Sequence, residues 1–287
     1  MSFQIFADGS ANLTGKMSAG INLLPCSYSI NGENHVYTGD IDSFDGHAYY
    51  NILRNGIRVV TSLLNTGLFL KHFSPVLEQG QDVIYISMSS GISGTYNAAL
   101  NAAKELSKKF KDRIIHIVDS HGCGFGNGIL ALEASELKKK NTETKIAAEI
   151  LDKEVPHVCQ YFTVGDINYL KSTGRINTVA AKIAGMLDIK PILYGDETGH
   201  IVSCANVRGR KKSIEALALK YEKKHLDAIG SQVYISHGDC PEDAEKLAGL
   251  IHNITPDASI TVCQHEPFSG AHVGPGMLGL FFKGTER

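Results

Sequence analysis

Apolar residues change rhythm near the middle of this chain. In the first half, short β-branched runs alternate with stretches whose apolar residues recur at helical spacing. Residues 3–7, 83–87 and 113–119 read as strands. Residues 45–55, 67–79, 95–110, 126–140 and 144–153 read as helices. Residues 22–30 read as one strand running into the turn signal NGEN, and 59–61 as a strand end or loop. Strands alternating with helices predict right-handed crossovers and a mainly parallel sheet covered on both faces.

The second half mixes hairpins with helices. Residues 189–194 and 200–207 face each other across GDETG, a hairpin signal. Strands are expected at 158–164, 232–236, 259–262 and 277–282, and helices at 176–186, 210–224 and 241–251. This rhythm predicts an α/β unit with a mixed or antiparallel sheet. The expected fold class is α/β in two domains, divided as 1–160 and 161–287, with a ligand between them. No Pro- or Ser-rich linker marks the division, so the halves should pack closely. No internal repeat or low-complexity segment is visible.

Composition narrows the function. The chain has 287 residues, 43% hydrophobic and 20% charged, enough for a substantial core. Its net charge of −2 removes the electrostatic argument for a nucleic-acid partner. No secretory signal and no membrane-length apolar run is apparent. The six cysteines are scattered without a C-x-x-C pair, which fits reduced thiols and a cytoplasmic protein. The twelve histidines form no metal-ligand spacing, so no metal and no cofactor are expected.

One stretch stands out, ISMSSGISGTYNAAL at 86–100. It joins the apolar run VIYI to a helix that ends in lysines. Unpaired amides and the helix dipole favour an anion at such a turn, and open α/β sheets bind ligands along this edge. Ser and Thr also cap helices, but one cap needs one hydroxyl. Ser87, Ser89, Ser90, Ser93 and Thr95 exceed that need, which points to an anion site.

Further candidates are Thr61-Ser62 after IRVV, GCGFGNG at 122–128, Arg175 in LKSTGRI, the basic turn NVRGRKK, and His272 in HVGPG. The glycine loop lacks dinucleotide spacing and the P-loop lysine, so close helix–sheet packing is its default reading. GISGT misses the nucleophile-elbow pattern by its last residue, in the right strand-turn-helix setting. A serine hydrolase with Ser93 as nucleophile and His237 or His272 as base is therefore the alternative. A non-catalytic sensor or transporter subunit for some other carboxylate is a third reading.

Taken together, these motifs resemble the DegV family of bacterial fatty-acid-binding proteins. SSGISGTY at 89–96 resembles the family hallmark, ADGSANL its opening D-S-x-A-D-L, and Thr61-Ser62 its T-S-x-P-S segment. IVDSHGCGFGNGILALEA, VGDINYLKSTGRI, KPIL followed by a hairpin and NVRGRKKSI, and HVGPGMLG follow in the family's order. Three positions depart from it: Gly9 where the family has Ser, Leu63-Leu64-Asn65 where it has a proline, and Thr173 where it prefers Gly.

The resemblance implies two α/β domains holding a long-chain fatty acid in an apolar tunnel. It implies that Thr61, Ser93 and His272 hold the carboxylate, and that their motif neighbours Ser62, Gly94 and Thr95 belong to the same carboxylate-binding site. It further implies a separate ATP-dependent fatty-acid kinase as partner, with Arg175, Arg208 and Lys211 tied to phosphoryl transfer or kinase contact. Acyl phosphate would then pass to phospholipid synthesis with a transient membrane-surface contact, and the chain itself would not be an enzyme. Burying a carboxylate requires several converging donors. About 15 methylenes at roughly 0.8 kcal/mol each supply on the order of 12 kcal/mol before ordering costs. The polar cluster should therefore set orientation more than affinity.

Overall fold

A computed structural model describes residues 2–176, 188–226 and 231–287. Strands and helices are numbered in chain order. The first sheet contains β1 (Phe3–Asp8), β2 (Ile21–Leu24), β6 (Asp82–Ser87) and β7 (Ile115–Asp119). It is all parallel, in the order β2-β1-β6-β7. Successive side chains point to opposite faces, and both faces are buried. Ile84 and Ile86 meet α4 (Phe125–Lys139) and α5 (Thr144–Glu154), while Val83 and Tyr85 meet α2 (Thr66–Glu78) and α3 (Thr95–Lys109).

The second sheet is mixed. It contains β8 (Val158–Thr163), β9 (Ile189–Gly195), β10 (Ile201–Arg208), β11 (Gln232–His237), β12 (Ser259–Gln264) and β13 (Leu278–Lys283). The order is β10-β9-β8-β13-β11-β12, with only β11 and β12 parallel. One face packs on α7 (Arg210–Lys224) and α8 (Pro241–Ile254). From the other face, Tyr234 and Phe281 reach Phe125 of α4, with ring centroids 4.7 and 5.9 Å away, and tie the second sheet to the first core.

The expected strand at 22–30 is two strands in two sheets. Pro25 has no amide to donate, and the chain turns there. β2 stays beside β1, while β3 (Cys26–Ile30) enters a small antiparallel sheet with β4 (Glu33–Tyr37) and β5 (Val59–Ser62). β4, sequence ENHVY, is too polar to show as a strand and forms by pairing with β3. The expected helix over 45–55 is α1 (Gly46–Arg54), capped by Asp45. The expected helix over 176–186 lies, beyond Ile176, outside the described residues.

Two short helices escape the periodicity argument: α6 (Asn168–Thr173) and α9 (Pro267–Val273). Both join the structure that links the halves. Val59 and the tyrosines of α1 pack on Ala271 of α9, with Tyr169 of α6 against the same cluster. The tyrosine hydroxyls reach across the chain: Tyr49 donates to the Pro267 carbonyl at 2.6 Å, Tyr50 to His265 at 2.8 Å, and Tyr169 to Leu53 at 2.9 Å.

Candidate functional site

The hydroxyl-rich turn leaves β6 and enters α3, and most of its polar groups serve the fold. The Met88 amide donates to buried Asp8 at 2.8 Å, the Ser89 amide to the Gly122 carbonyl at 2.8 Å, and the Ser90 amide to Asp119 at 3.1 Å. The Ser87 hydroxyl bonds the Met88 carbonyl. Ser89 donates across the molecule to the Gly199 carbonyl, at 2.8 Å, at the tip of the β9–β10 hairpin. Gly91 and Gly199 meet backbone to backbone there; a Cβ on Gly91 would sit 2.5 Å from the Gly199 carbonyl carbon. The hydroxyls therefore divide: part holds the turn in place, and Ser93 lines a cavity.

Ser93, Gly94 and Thr95 open α3. Gly94 occupies the cap position without a side-chain cap bond. Among the described residues no acceptor takes the Gly94 amide, so it remains available at a helix N-terminus. The Thr95 amide donates to Ser93 Oγ at 3.2 Å, and the two hydroxyl oxygens are 3.0 Å apart. Thr95 Oγ1 also accepts from the Leu64 amide at 3.3 Å. That bond ties the loop after β5 to the start of α3, and so fixes Thr61 relative to Ser93.

Thr61 stands in β5, paired with Tyr28 of β3. Its Oγ1 is 2.9 Å from Nε2 of His272, in the last turn of α9. Burial, with added repulsion from Arg175, pushes His272 down to about 4, so the ring is neutral at pH 7. A proton on Nε2 lets the ring donate to Thr61, leaving the threonine hydroxyl proton for an anion. Nδ1 of His272 is buried without a partner among the described residues. The glycine after this helix is required: Gly274 has φ of 73°, and a Cβ there would sit 2.5 Å from the Tyr169 ring. The HVGPG and VGDINYLKSTGRI segments are thus in direct contact.

These groups line a cavity of about 230 Å³. Thr61, Ser93, Gly94, His272 and Arg175 lie on its wall, together with apolar Leu63, Met88, Ile92, Phe162, Phe268 and Met277. Ser62 and Thr95 do not line it: Ser62 is exposed, and Thr95 is fully buried behind Ser93. Arg208 and Lys211 are also absent from its wall. Arg208 ends β10, opposite Ile189, at the base of the hairpin whose tip holds Gly199. At about 3.3 Å per residue, that base lies on the order of 20 Å from the cavity end of the strand. Lys211 is paired with Glu215 at 3.9 Å on the exposed start of α7.

Sequence reasoning missed a second polar cluster on the same cavity. His265 contacts Ser236 through Nδ1 and Ser269 through Nε2, each at 2.8 Å. Ser269 in turn bonds Glu266, which caps α9 by accepting from the Phe268 amide at 2.5 Å and the Ser269 amide at 2.9 Å. Burial pushes His265 down to about 3 and Glu266 up to about 8. The dipeptide Glu266-Pro267 is the signal that could have revealed this helix start, an acceptor at the cap followed by proline at the first position.

Ser93 has no histidine partner among the described residues, since His272 bonds Thr61 and His237 accepts from the Cys240 amide at 3.2 Å. No metal-binding group occurs among the described residues, and no described helix is long and apolar enough to cross a membrane.

A parallel sheet and a mixed sheet, with a hydroxyl-edged apolar cavity walled by elements of both halves, define a two-part α/β fold. The chain belongs to the DegV family. The family model described as "Uncharacterised protein, DegV family" matches residues 2–284. A DegV domain-containing protein of Clostridium perfringens is 36% identical over 286 residues, covering 99% of this chain and 98% of the relative. Two solved structures share the fold. A DegV family protein from Eubacterium eligens loaded with heptadecanoic acid superposes with a TM-score of 0.84 at 18% identity, covering 98% of this chain and 99% of that one. DegV from Bacillus subtilis, described as a fatty acid binding protein, does so with 0.84 at 24%, covering 99% and 100%.

Proposed function

We propose that this chain binds a long-chain fatty acid and presents its carboxylate to a partner ATP-dependent fatty-acid kinase. The observation that carries this reading is the convergence of the Thr61 and Ser93 hydroxyls, the Gly94 amide, His272 and Arg175 on one stretch of an otherwise largely apolar cavity. A hydroxyl and an amide donate to a carboxylate, and a guanidinium balances its charge. Fatty-acid binding by the Eubacterium eligens and Bacillus subtilis family members supports it.

Within this reading Thr61, Ser93 and Gly94 contact the carboxylate and His272 orients Thr61. Thr95 acts through Ser93, and Ser62 sits beside Thr61 on the outer side of β5. Arg175 stands where the carboxylate meets solvent and serves phosphoryl transfer. Arg208 and Lys211 offer a kinase contact at the far end of the hairpin. The chain supplies no chemistry of its own, takes no cofactor, works in the cytoplasm and touches the membrane surface only in passing. Its halves divide near residue 160, with the ligand between them.

The test begins with native mass spectrometry of the purified protein and extraction of any lipid. One stoichiometric long-chain fatty acid is expected. An empty protein that also refuses added fatty acid would remove the ligand. Labelling of Ser93 by a fluorophosphonate probe would instead favour the hydrolase. Arg208→Ala should weaken coupling to the kinase and leave bound lipid in place.

A further inference from the structure

The glycine-rich loop after β7 closes around one side chain of the second sheet. A Cβ on Gly122 would sit 2.9 Å from Oε1 of Gln160, one on Gly126 closer still, and one on Gly195 2.7 Å from its Nε2. The bare backbone there admits the Gln160 carboxamide. Nε2 donates to the His121 carbonyl at 2.6 Å, and Oε1 accepts from the Cys123 amide at 3.3 Å. These two bonds fix which way round the amide lies, and they join β8 to the loop of the first half.

Gln160 is only 8% exposed, and the space it faces is the cavity. The mixed sheet floors that cavity with one row of residues across its strands: Ile201 opposite Gly195, Gly195 against Gln160, and Gln160 opposite Phe281. Phe162 lines it beside them, so Gln160 is the one polar side chain that the described strands of this sheet place on the wall. The row begins at Ile201, which Ile176 meets in a parallel bridge. Three strand spacings of about 4.8 Å put Gln160 on the order of 14 Å inside that edge, beside the middle of a long acyl chain. Cys123 lines the same stretch from the loop. Burial pushes its thiol up, so it stays protonated and offers an S–H.

The Gln160 carboxamide has two donors and two lone pairs. One of each is used, and among the described residues nothing takes its second N–H or second lone pair. A methylene chain lying over them answers neither and keeps water away, which is costly. An oxygen on the chain accepts from the free N–H. We propose that Gln160, with Cys123 beside it, forms a mid-cavity subsite for an oxygen substituent on the acyl chain. The ligand class is then a long-chain acid carrying a mid-chain hydroxyl or oxo group. The proposal rests on the fatty-acid reading above and deepens it.

The test uses the delipidated full chain, octadecanoic acid, and its hydroxy isomers substituted beside the carboxylate, at mid-chain and at the methyl end. Calorimetry should give the mid-chain isomer a Kd about tenfold below that of the unsubstituted acid, the size of one hydrogen bond to a group otherwise left unpaired. Neither end isomer should gain. In Gln160→Met the ratio of the two Kd values should fall to about one. The carbonyl stretch of a bound mid-chain oxo acid should lie lower in the wild type than in Gln160→Met, a shift that a purely structural role would not cause. The wild-type series stands by itself where Gln160→Met fails to fold. Octadecanoic acid binding as tightly as every isomer, an optimum at either end of the chain, or a preference that survives in Gln160→Met overturns the subsite alone. Wild-type protein that binds none of these acids overturns the fatty-acid reading and the subsite together.

Discussion

Two histidine–hydroxyl clusters line one cavity and differ in what they have left to give. At the first, Nε2 of His272 meets Thr61, Nδ1 is buried without a partner among the described residues, and Ser93 and the Gly94 amide face the same space. At the second, both ring nitrogens of His265 are engaged by Ser236 and Ser269, and Ser269 passes on to Glu266. The residue types are nearly the same. A filled cluster can be removed from water at no further cost, whereas an unfilled one invites a ligand. Unused hydrogen-bonding capacity on a polar wall, as at the Gly94 amide, is therefore what favours a ligand contact.

The sharpest way to break this contrast is to damage the closed cluster. Glu266→Ala removes the cap of α9 and leaves the Phe268 and Ser269 amides unanswered in a buried place. It should destabilise the fold by about 3 kcal/mol, read as a lower urea midpoint. An unchanged midpoint would mean that the cluster does not support the fold.

Next in size is a pH effect. His265 and His272 have folded values near 3 and 4, below the unfolded value near 6.5. The unfolded chain thus binds more protons between these limits, and stability must rise with pH through that window and fall as pH drops from 6.5 toward 3. Glu266, raised to about 8, works in the opposite sense: the folded chain holds its proton longer, so this residue contributes stability below pH 4.5 that fades as pH climbs toward 8. Together they predict a stability maximum near pH 6.5, with an acid limb that flattens in His265→Gln. Urea midpoints across pH 4 to 9 check this, and a flat acid limb in the wild type would contradict it.

The open cluster should behave otherwise. Thr61→Ala and Ser93→Ala should each leave stability within about 1 kcal/mol and weaken fatty-acid binding by about tenfold at most. If the chain presents a carboxylate to a kinase as proposed, phosphorylation should suffer more than binding, most of all in the double variant, since hydroxyls that orient the carboxylate matter more there. Retained phosphorylation in all three variants would remove Thr61 and Ser93 from the site. Smallest of all is Ser62→Ala. Its side chain is exposed on the outer face of β5, so binding should stay within about twofold and stability within about 0.5 kcal/mol.

Much of this was legible along the chain. The parallel sheet follows from apolar runs alternating with helical periods, and the hairpin at GDETG from its turn chemistry. The strand-to-helix turn at 86–100 shows in its position between an apolar run and a helical period, and part of it lines the cavity. The short helix α9 was not legible by period, since seven residues make barely two turns and its start rests on Glu266-Pro267 alone. The strand break at Pro25 was present in the sequence, but only the pairing of β3 with β5 shows why it matters: β5 carries Thr61.

The residues by themselves determined the layers and where donors are concentrated, because propensity and hydrophobic period are local properties. They did not determine which donors remain free. Ser89 is occupied by Gly199, 110 positions away, and His272 meets Thr61 across 211. A hydroxyl's availability depends on the partner that folding brings to it, and that partner is set by packing between elements distant in sequence. Along the chain the hydroxyls of this strand-to-helix turn look alike, and only its tertiary neighbours separate those that brace the fold from those that line the cavity.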